Sequence, residues 1–288
     1  MPEPEFRFSE PLRVRWAEID AQNIVFNGHY LMYVDTAIAG YWRALALPYA
    51  QSMQTLGGDL YVRKATLEYH ASARYDERLD VAVRAGRIGN SSIVFHAEVR
   101  RRRERLVSGE LVYVFADPTS QTARPVPAAL RDILQGYEAG QPMFEVATGS
   151  WPEMAAAARA LRTEVFIGEL GMPAELEWDL ADAESVHAVA RNRLGQAVAT
   201  GRLVRRSDGV AGIGRMLVIP ALRGGGIGRA VLEALLQAAR GQAATEVMLD
   251  AAVDAVDVVA FYAAAGFRPS GPPCEVAGIA HQPMTRKL

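Results

Sequence analysis

The sequence contains one cysteine, Cys274, and no apolar run long enough to cross a bilayer. A single cysteine excludes an intrachain disulfide, so the composition favours a reducing compartment, and we expect the cytoplasm. The five histidines and the cysteine do not have the spacing of metal ligands, so no metal site is predicted. The net charge is only -2, which argues against nucleic acid or a membrane as the main partner. The polar N-terminus, MPEPEFRFSEP, is not typical of a signal peptide.

The length and composition indicate a globular chain with two domains. The chain has 288 residues, of which 50% are hydrophobic and 22% are charged. Glycine, proline and small polar residues cluster over Gly136–Pro152, as they do at domain boundaries. We predict a first domain over 1–138, a linker over 139–150 and a second domain over 151–288. The first strand of the second domain could begin as early as residue 144.

The first half has the pattern of one helix and an antiparallel sheet. A strand over 7–16 is followed, from about Tyr30, by apolar residues at helical spacing that end before Pro48. Alternation of period two then indicates four strands, near 65–70, 79–84, 93–100 and 106–116. One helix covering one face of such a sheet predicts an α+β domain.

The most specific motif lies in the second half, where a strand, a glycine loop and a helix follow one another. The strand ends at Pro220, the loop reads RGGGIG over 223–228, and an Ala/Leu-rich helix runs to about Arg240. Glycines let backbone N–H groups approach an anion, and the helix adds its positive N-terminal dipole. We predict that the loop and the helix start hold the phosphate of a cofactor. The predicted cofactor-binding residues are Met216, Leu217, Val218, Arg223, Gly224, Gly225, Gly226, Ile227, Gly228 and Arg229.

The segment Arg15–Leu31, RWAEIDAQNIVFNGHYL, resembles the active-site segment of the 4-hydroxybenzoyl-CoA thioesterase family in its YbgC/FadM-like branch. The resemblance implies a hotdog fold over about 8–135. It implies that Asp20 is the catalytic carboxylate, acting as a nucleophile or as the base for water. It also implies that N–H groups at the start of the central helix, near Asn27–Tyr30, hold the thioester oxygen. Asn27 and His29 are further catalytic candidates.

Other interpretations of these residues stay open at this stage. Asp20 could cap a loop, and Glu18 is a rival carboxylate that would point the same way if the first strand continued. His29 could be a solvated helix residue. Arg100–Arg103 and Arg105 could bind the nucleotide phosphates of coenzyme A, or could be solvated charges at a hairpin tip.

The second half is similar to the GNAT acetyltransferases over 144–288. The motif Arg223-x-x-Gly226-x-Gly228 resembles their pyrophosphate-binding loop, and the segment Phe261–Phe267, FYAAAGF, resembles their second signature. The resemblance implies an α/β domain with a mixed central sheet and acetyl-CoA as the acetyl donor. It makes Tyr262 the candidate general acid for the departing thiolate, with a packed aromatic as the alternative.

Two shorter patterns resemble the ElaA-like subgroup of that family. They are Glu177-x-Asp179-x-x-Asp182 followed by His187, and the C-terminal segment 278–284, GIAHQPM. His187 and His281 could line the acceptor site, or could be structural histidines.

The two resemblances together predict a bifunctional coenzyme A enzyme. The first domain would hydrolyse acyl-CoA and the second would transfer acetyl from acetyl-CoA to an amine that the sequence does not identify. The alternative is that one domain is catalytic and the other is an acyl-CoA sensor or scaffold. The hotdog resemblance also implies a homodimer or a larger oligomer. No nucleic acid, membrane or metal partner is expected.

Overall fold

The computed structural model describes residues 6–253, 256–276 and 279–288, and it separates into two compact units, Met1–Met143 and Phe144–Leu288. The last helix of the first unit ends at Glu138, and a strand of the second unit already occupies Phe144–Gly149. The segment that connects the two units is therefore shorter than the predicted linker, because residues 144–149 belong to the second sheet.

The described residues of the first unit form one antiparallel sheet, three α-helices and one 3₁₀ turn. Its strands follow the order β1-β3-β4-β5-β2, so β1 and β2 are the two edges. The predicted strand, long helix and four antiparallel strands are confirmed. The elements are β1 Phe8–Arg13, α1 Asn27–Ala44, α2 Tyr49–Leu56, β2 Asp59–Tyr69, β3 Arg78–Ile88, β4 Ser92–Arg101, β5 Glu104–Ala116 and α3 Ala128–Glu138.

Helix α1 forms the centre of the first unit because its apolar residues recur at helical spacing. Tyr30, Val34, Ile38 and Tyr41 are all buried, and the Tyr41 ring meets Phe95 of β4 edge to face, with centroids 5.8 Å apart. The sequence pattern did not predict α2, which starts immediately after Pro48. Among the described residues, no helix is long and apolar enough to cross a membrane.

The second unit is built on one mixed sheet. Its strands follow the order β11-β13-β10-β9-β8-β7-β6, with β12 beside β13, and the β9–β10 pair is parallel whereas the other pairs are antiparallel. The predicted mixed α/β sheet is confirmed. The elements are β6 Phe144–Gly149, α4 Trp151–Arg162, α5 Ala174–Glu177, β7 Val186–Asn192, β8 Ala197–Ser207, β9 Val210–Val218, α6 Ile227–Gly241, β10 Glu246–Ala252, α7 Val256–Ala264, β11 Arg268–Pro269, β12 Cys274–Val276 and β13 Ile279–Lys287.

Helix α6 packs closely on the sheet of the second unit. Its apolar face, which includes Val231 and Leu235, is fully buried. A Cβ placed on Gly201 of β8 would lie 2.8 Å from the Leu235 Cδ1 atom and 3.2 Å from Val231 Cγ1. The absence of a side chain at Gly201 therefore lets the helix approach the strand.

Strands β9 and β10 pair over a short stretch only. Val210–Gly212 pair with Glu246–Met248, whereas β9 continues to Val218 and β10 to Ala252. Over the remaining residues, β9 pairs with β8 on one side and β10 pairs with β13 on the other. The two halves of the sheet separate at this point, so no strand among the described residues pairs with the β10-facing side of β9 from residue 213 onward.

Candidate active sites

Asp20 lies in a tight loop between β1 and α1. Ile19 forms a bridge with Val25, and the Asp20 N–H donates to the Ile24 carbonyl at 2.9 Å. The Asp20 Oδ1 atom accepts a hydrogen bond of 2.8 Å from the Gln22 N–H, as in an Asx turn. The loop thus fixes the carboxylate through one oxygen.

A cavity of about 440 Å³ brings this loop together with the first turn of α1 and the end of β2. Asp20 and Asn27 both line it, so the loop and the helix start that the sequence singled out form one site. The cavity is lined by Asp20, Gln22, Ile24, Val25, Phe26, Asn27, Tyr30, Tyr69, His70, Ala71 and Ser72.

The first turn of α1 borders this cavity through Asn27. Phe26 is the N-cap, and its carbonyl accepts a hydrogen bond of 2.9 Å from the His29 N–H. The N–H groups of Asn27 and Gly28 precede it in the first turn, where amides have no acceptor within the helix. Amides at a helix N-terminus, together with the helix dipole, are in general well suited to stabilise a developing oxyanion. The His29 ring packs against Phe26, with centroids 6.0 Å apart, instead of lining the cavity.

The rival carboxylate, Glu18, has a structural position. Its Oε2 atom accepts hydrogen bonds of 2.7 Å from the Tyr33 hydroxyl and from the Arg15 N–H. The chain does not continue as a strand, as the rival interpretation required, because β1 ends at Arg13 and a 3₁₀ turn covers Trp16–Glu18. Glu18 therefore stabilises the loop through these hydrogen bonds, whereas Asp20 is the carboxylate that lines the cavity.

Sequence reasoning missed two residues of the cavity, Tyr69 and His70, at the end of β2. The Tyr69 hydroxyl donates to the Asn27 carbonyl at 3.1 Å, and the His70 Nε2 atom lies 2.8 Å from the Ser108 hydroxyl. Alternation placed His70 on the polar face of the strand, but no local signal showed that this end of the strand meets the start of α1.

The arginine run belongs to ion pairs within the first unit. Arg101 bonds to Glu77 and to Glu104, and Arg100 and Arg105 both bond to Glu98. The run lies at the β4–β5 hairpin, as expected. These three guanidinium groups already have carboxylate partners, which favours the structural interpretation over the nucleotide-binding one.

In the second unit, the glycine loop connects the end of β9 to α6. Gly224 and Gly226 have φ angles of +83° and +81°, in the left-handed region that favours glycine. Gly226 is the N-cap of α6, so the loop places its amides directly at the helix N-terminus. The side of β9 at Met216–Val218 that β10 does not pair lies immediately before the 3₁₀ turn Pro220–Leu222, which leads into the loop.

Comparison with known proteins assigns a family to each unit. Residues 22–108 match the thioesterase superfamily model, and residues 153–288 match the acetyltransferase (GNAT) domain model. An uncharacterized N-acetyltransferase of Bacillus subtilis, YjcF, is 35% identical over 108 residues, which cover 38% of this chain and 74% of YjcF. The chain joins a thioesterase-superfamily domain to a GNAT domain. The first domain has the hotdog fold, and both families use coenzyme A thioesters as substrates.

Two further similarities concern the thioesterase domain. The acyl-CoA thioester hydrolase YbgC of Escherichia coli O157:H7 is 27% identical over 127 residues, which cover 43% of this chain and 92% of YbgC. The crystal structure of Slr0204, a 1,4-dihydroxy-2-naphthoyl-CoA thioesterase from Synechocystis, is 15% identical with a TM-score of 0.41 and covers 44% of this chain and 95% of its own.

Tyr262 of the GNAT domain is a buried residue of α7. Its side chain is 7% exposed, and its ring packs edge to face on Phe261 and Phe267. Burial raises the pKa of its hydroxyl to about 12, so the group keeps its proton at neutral pH. A Cβ placed on Gly228 would lie 3.9 Å from the Phe261 ring, so the residue next to Tyr262 touches the first turn of α6.

Arg223 of the GNAT loop is held by other protein groups. Its Nη1 and Nη2 atoms each donate to Glu169 at 2.6 Å, and its Nε atom donates to the Val218 carbonyl at 3.1 Å. Arg229, the other predicted basic ligand, is exposed in the first turn of α6. Arg223 is therefore bonded to other protein groups, whereas Arg229 is exposed to solvent.

The acidic motif of the GNAT domain forms a buried ion network. Arg162 is fully buried, bonds to Glu177, and donates to the Asp182 Oδ1 atom at 2.8 Å. Arg202 donates to the same Asp182 oxygen at 2.8 Å. Removing one member of such a network leaves an uncompensated buried charge, which costs about 3–5 kcal/mol. No group of His, Cys, Asp and Glu in the described ranges could hold a metal ion.

His187 belongs to this network. Its Nε2 atom lies 2.9 Å from the Asp182 carbonyl oxygen, its ring lies 4.7 Å from that of Trp151, and it is 1% exposed. Burial lowers its pKa, so the ring is neutral at pH 7. The geometry favours the structural interpretation of His187. In the C-terminal motif, Gly278 lies outside the described residues, and His281 pairs with Cys274 and Ala252 of the neighbouring strands.

Proposed function

We propose that the protein is a bifunctional coenzyme A enzyme, which hydrolyses acyl-CoA in its thioesterase domain and acetylates an amine in its GNAT domain. The observation that supports this most directly is that each domain keeps the parts its chemistry needs in one place. The thioesterase cavity brings a carboxylate and a helix N-terminus together. In the GNAT domain, the loop with its left-handed glycines follows strand β9, which separates from β10.

In the thioesterase domain, the reaction is cleavage of the C–S bond by water. In the mechanism we favour, Asp20 takes a proton from water as the oxygen attacks the thioester carbonyl. The amides of Asn27 and Gly28 stabilise the negative charge on the carbonyl oxygen. The C–S bond then breaks, the electron pair leaves with sulfur, and the proton from Asp20 restores the coenzyme A thiol. The Asp20 Oδ2 atom is assigned this role, because Oδ1 already accepts the Gln22 N–H.

In the GNAT domain, the loop amides at residues 224–228 bind the pyrophosphate of acetyl-CoA at the start of α6. The neutral amine attacks the acetyl carbonyl, the C–S bond breaks with its electron pair on sulfur, and Tyr262 gives its proton to the thiolate. The proton that the attacking nitrogen loses passes to solvent water, and Tyr262 is reprotonated from solvent. The Tyr262 hydroxyl is protonated across the neutral range, as a general acid requires.

The assignment is tested by hydrolysis assays over short, long and aromatic acyl-CoA substrates, together with acetyl-CoA turnover in the presence of a panel of amines. Both reactions are expected from the purified full chain. If acyl-CoA is hydrolysed and acetyl-CoA binds without turnover on any amine, the hydrolase is the catalytic half, and the GNAT domain is the sensor or scaffold of the alternative hypothesis.

The variant Tyr262→Phe distinguishes a general-acid role of Tyr262 from a purely structural role as a packed aromatic. The phenyl ring keeps the contacts with Phe261 and Phe267, so we expect acetyl-CoA affinity to stay within about twofold while kcat for acetyl transfer falls by about 10²-fold or more. Binding is measured by calorimetry and transfer by thiol release. An unchanged kcat would leave Tyr262 as a core aromatic.

We also propose that the protein associates through β2 of the thioesterase domain. This edge strand is exposed over residues 62–66, and Val62 is 52% exposed. An exposed edge carries unpaired backbone groups that a second copy can match. We expect light scattering to give a mass of at least twice 31.3 kDa, and the value for a single chain would contradict the proposal.

A further inference from the structure

The contact between Glu169 and Arg223 links two separate parts of the GNAT domain. Arg223 begins the glycine loop, whereas Glu169 is the last residue of the π-helical segment Thr163–Glu169 that continues α4. Both carboxylate oxygens accept a hydrogen bond of 2.6 Å from the guanidinium, which is the bidentate geometry of a strong charge-assisted pair. The Arg223 hydrogen bonds hold the pKa of Glu169 below its usual range, so the carboxylate is ionised at neutral pH.

The same guanidinium also fixes the end of β9. Its Nε atom donates to the Val218 carbonyl at 3.1 Å, so all three of its nitrogens are engaged with the protein. The β9 end, the loop and the π-helical segment are therefore joined through one side chain. Gly224 and Gly226 have no side chains of their own with which to hold the loop in its left-handed turns.

We propose that Glu169 is a positioning residue for the acetyl-CoA loop, and that Arg223 acts as its structural clamp and does not neutralise the pyrophosphate. The proposal rests on the proposed function, in which the loop binds acetyl-CoA. The amides of residues 224–228 and the N-terminus of α6 then bind the phosphates, and the Glu169–Arg223 pair keeps those amides aligned for the anion.

The variant Glu169→Gln distinguishes this role from direct binding by the sign of its effect. If Arg223 binds the pyrophosphate, Glu169 competes with the ligand, and removing its charge strengthens binding. If Arg223 is the clamp, the amide at position 169 loosens the loop and weakens binding, even though a negative charge has been removed near an anionic ligand. We expect the Kd for acetyl-CoA to rise by about fivefold, the scale of a bidentate pair at a partly exposed site.

A double-mutant cycle completes the test, with Kd values for acetyl-CoA measured by calorimetry on the full chain. Glu169→Gln and Arg223→Gln are expected to weaken binding by similar factors, and the double variant by no more than either one. The matched control is Glu164→Gln, which removes the same charge from the same π-helical segment at an exposed position. Thermal unfolding checks that all four variants are folded.

The outcomes are separable from those of the proposed function. Unchanged or tighter binding by Glu169→Gln would overturn the positioning role while leaving the acetyl-CoA site intact. Equal effects of Glu164→Gln and Glu169→Gln would also overturn it, because charge alone would then explain the loss. Failure of the unmodified chain to bind acetyl-CoA would overturn the proposed function and, with it, the clamp.

Discussion

Asp20→Asn is expected to lower acyl-CoA hydrolysis by at least about 10²-fold, the scale of losing a positioned general base. The asparagine side chain keeps an oxygen that can accept the Gln22 N–H, so the loop between β1 and α1 stays in place. Only the charge and basicity of the second oxygen are lost. Acetyl-CoA binding to the GNAT domain is expected to persist, which shows that the chain is folded.

The matched control is Glu18→Gln, the other carboxylate of this loop. Its amide oxygen can still accept from the Tyr33 hydroxyl or the Arg15 N–H, so we expect hydrolysis within a few-fold of the unmodified protein. Hydrolysis rates are measured by release of the coenzyme A thiol. Activity that survives Asp20→Asn but is lost in Glu18→Gln would show that the catalytic carboxylate has been misassigned.

Gly226→Glu is expected to weaken acetyl-CoA binding by about 10²-fold. A side chain at this N-cap would enter open space, since no heavy atom lies within 4 Å of where its Cβ would stand, and it would place a carboxylate beside the bound pyrophosphate. Two like charges about 5 Å apart repel by about 3 kcal/mol at an effective dielectric constant of about 20. Calorimetric titration with acetyl-CoA measures the change.

Gly226→Ala separates this repulsion from backbone strain. The φ angle of +81° strains any L-residue, so alanine carries the same backbone cost without the charge. We expect alanine to weaken binding by less than about tenfold. If alanine and glutamate weaken binding equally, the strain explains the loss, and the pyrophosphate does not lie against position 226.

The elements of this fold could be predicted from sequence because periodicity is a local signal. The alternation in β2 to β5 and the helical spacing in α1 identify the elements, but not which strand ends meet. The pattern therefore missed Tyr69 and His70, which line the cavity because the end of β2 lies beside the start of α1 in the folded domain. Long-range pairing of this kind has no signature in the residues themselves.

Side-chain roles were harder to predict than positions. The motif correctly located the glycine loop, yet the partner of Arg223 lies 54 residues earlier in the chain, at Glu169. His187 was predicted to line the acceptor site or to be a structural histidine, and the structure places it in a buried ion network. The family resemblance favoured Asp20 over Glu18, and the structure adds that Glu18 lies in a 3₁₀ turn where it bonds to Tyr33 and Arg15.

The parting of β9 and β10 has a mechanical consequence for the GNAT domain. The two halves of its sheet are joined by three residue pairs, Val210–Gly212 with Glu246–Met248, so this seam is the narrowest hydrogen-bonded connection between neighbouring long strands. A thioester that lies between β9 and β10 and bonds to the unpaired side of β9 would add a connection between the two halves of the sheet. Acetyl-CoA would then be a structural brace as well as a substrate, and each turnover would briefly remove that brace.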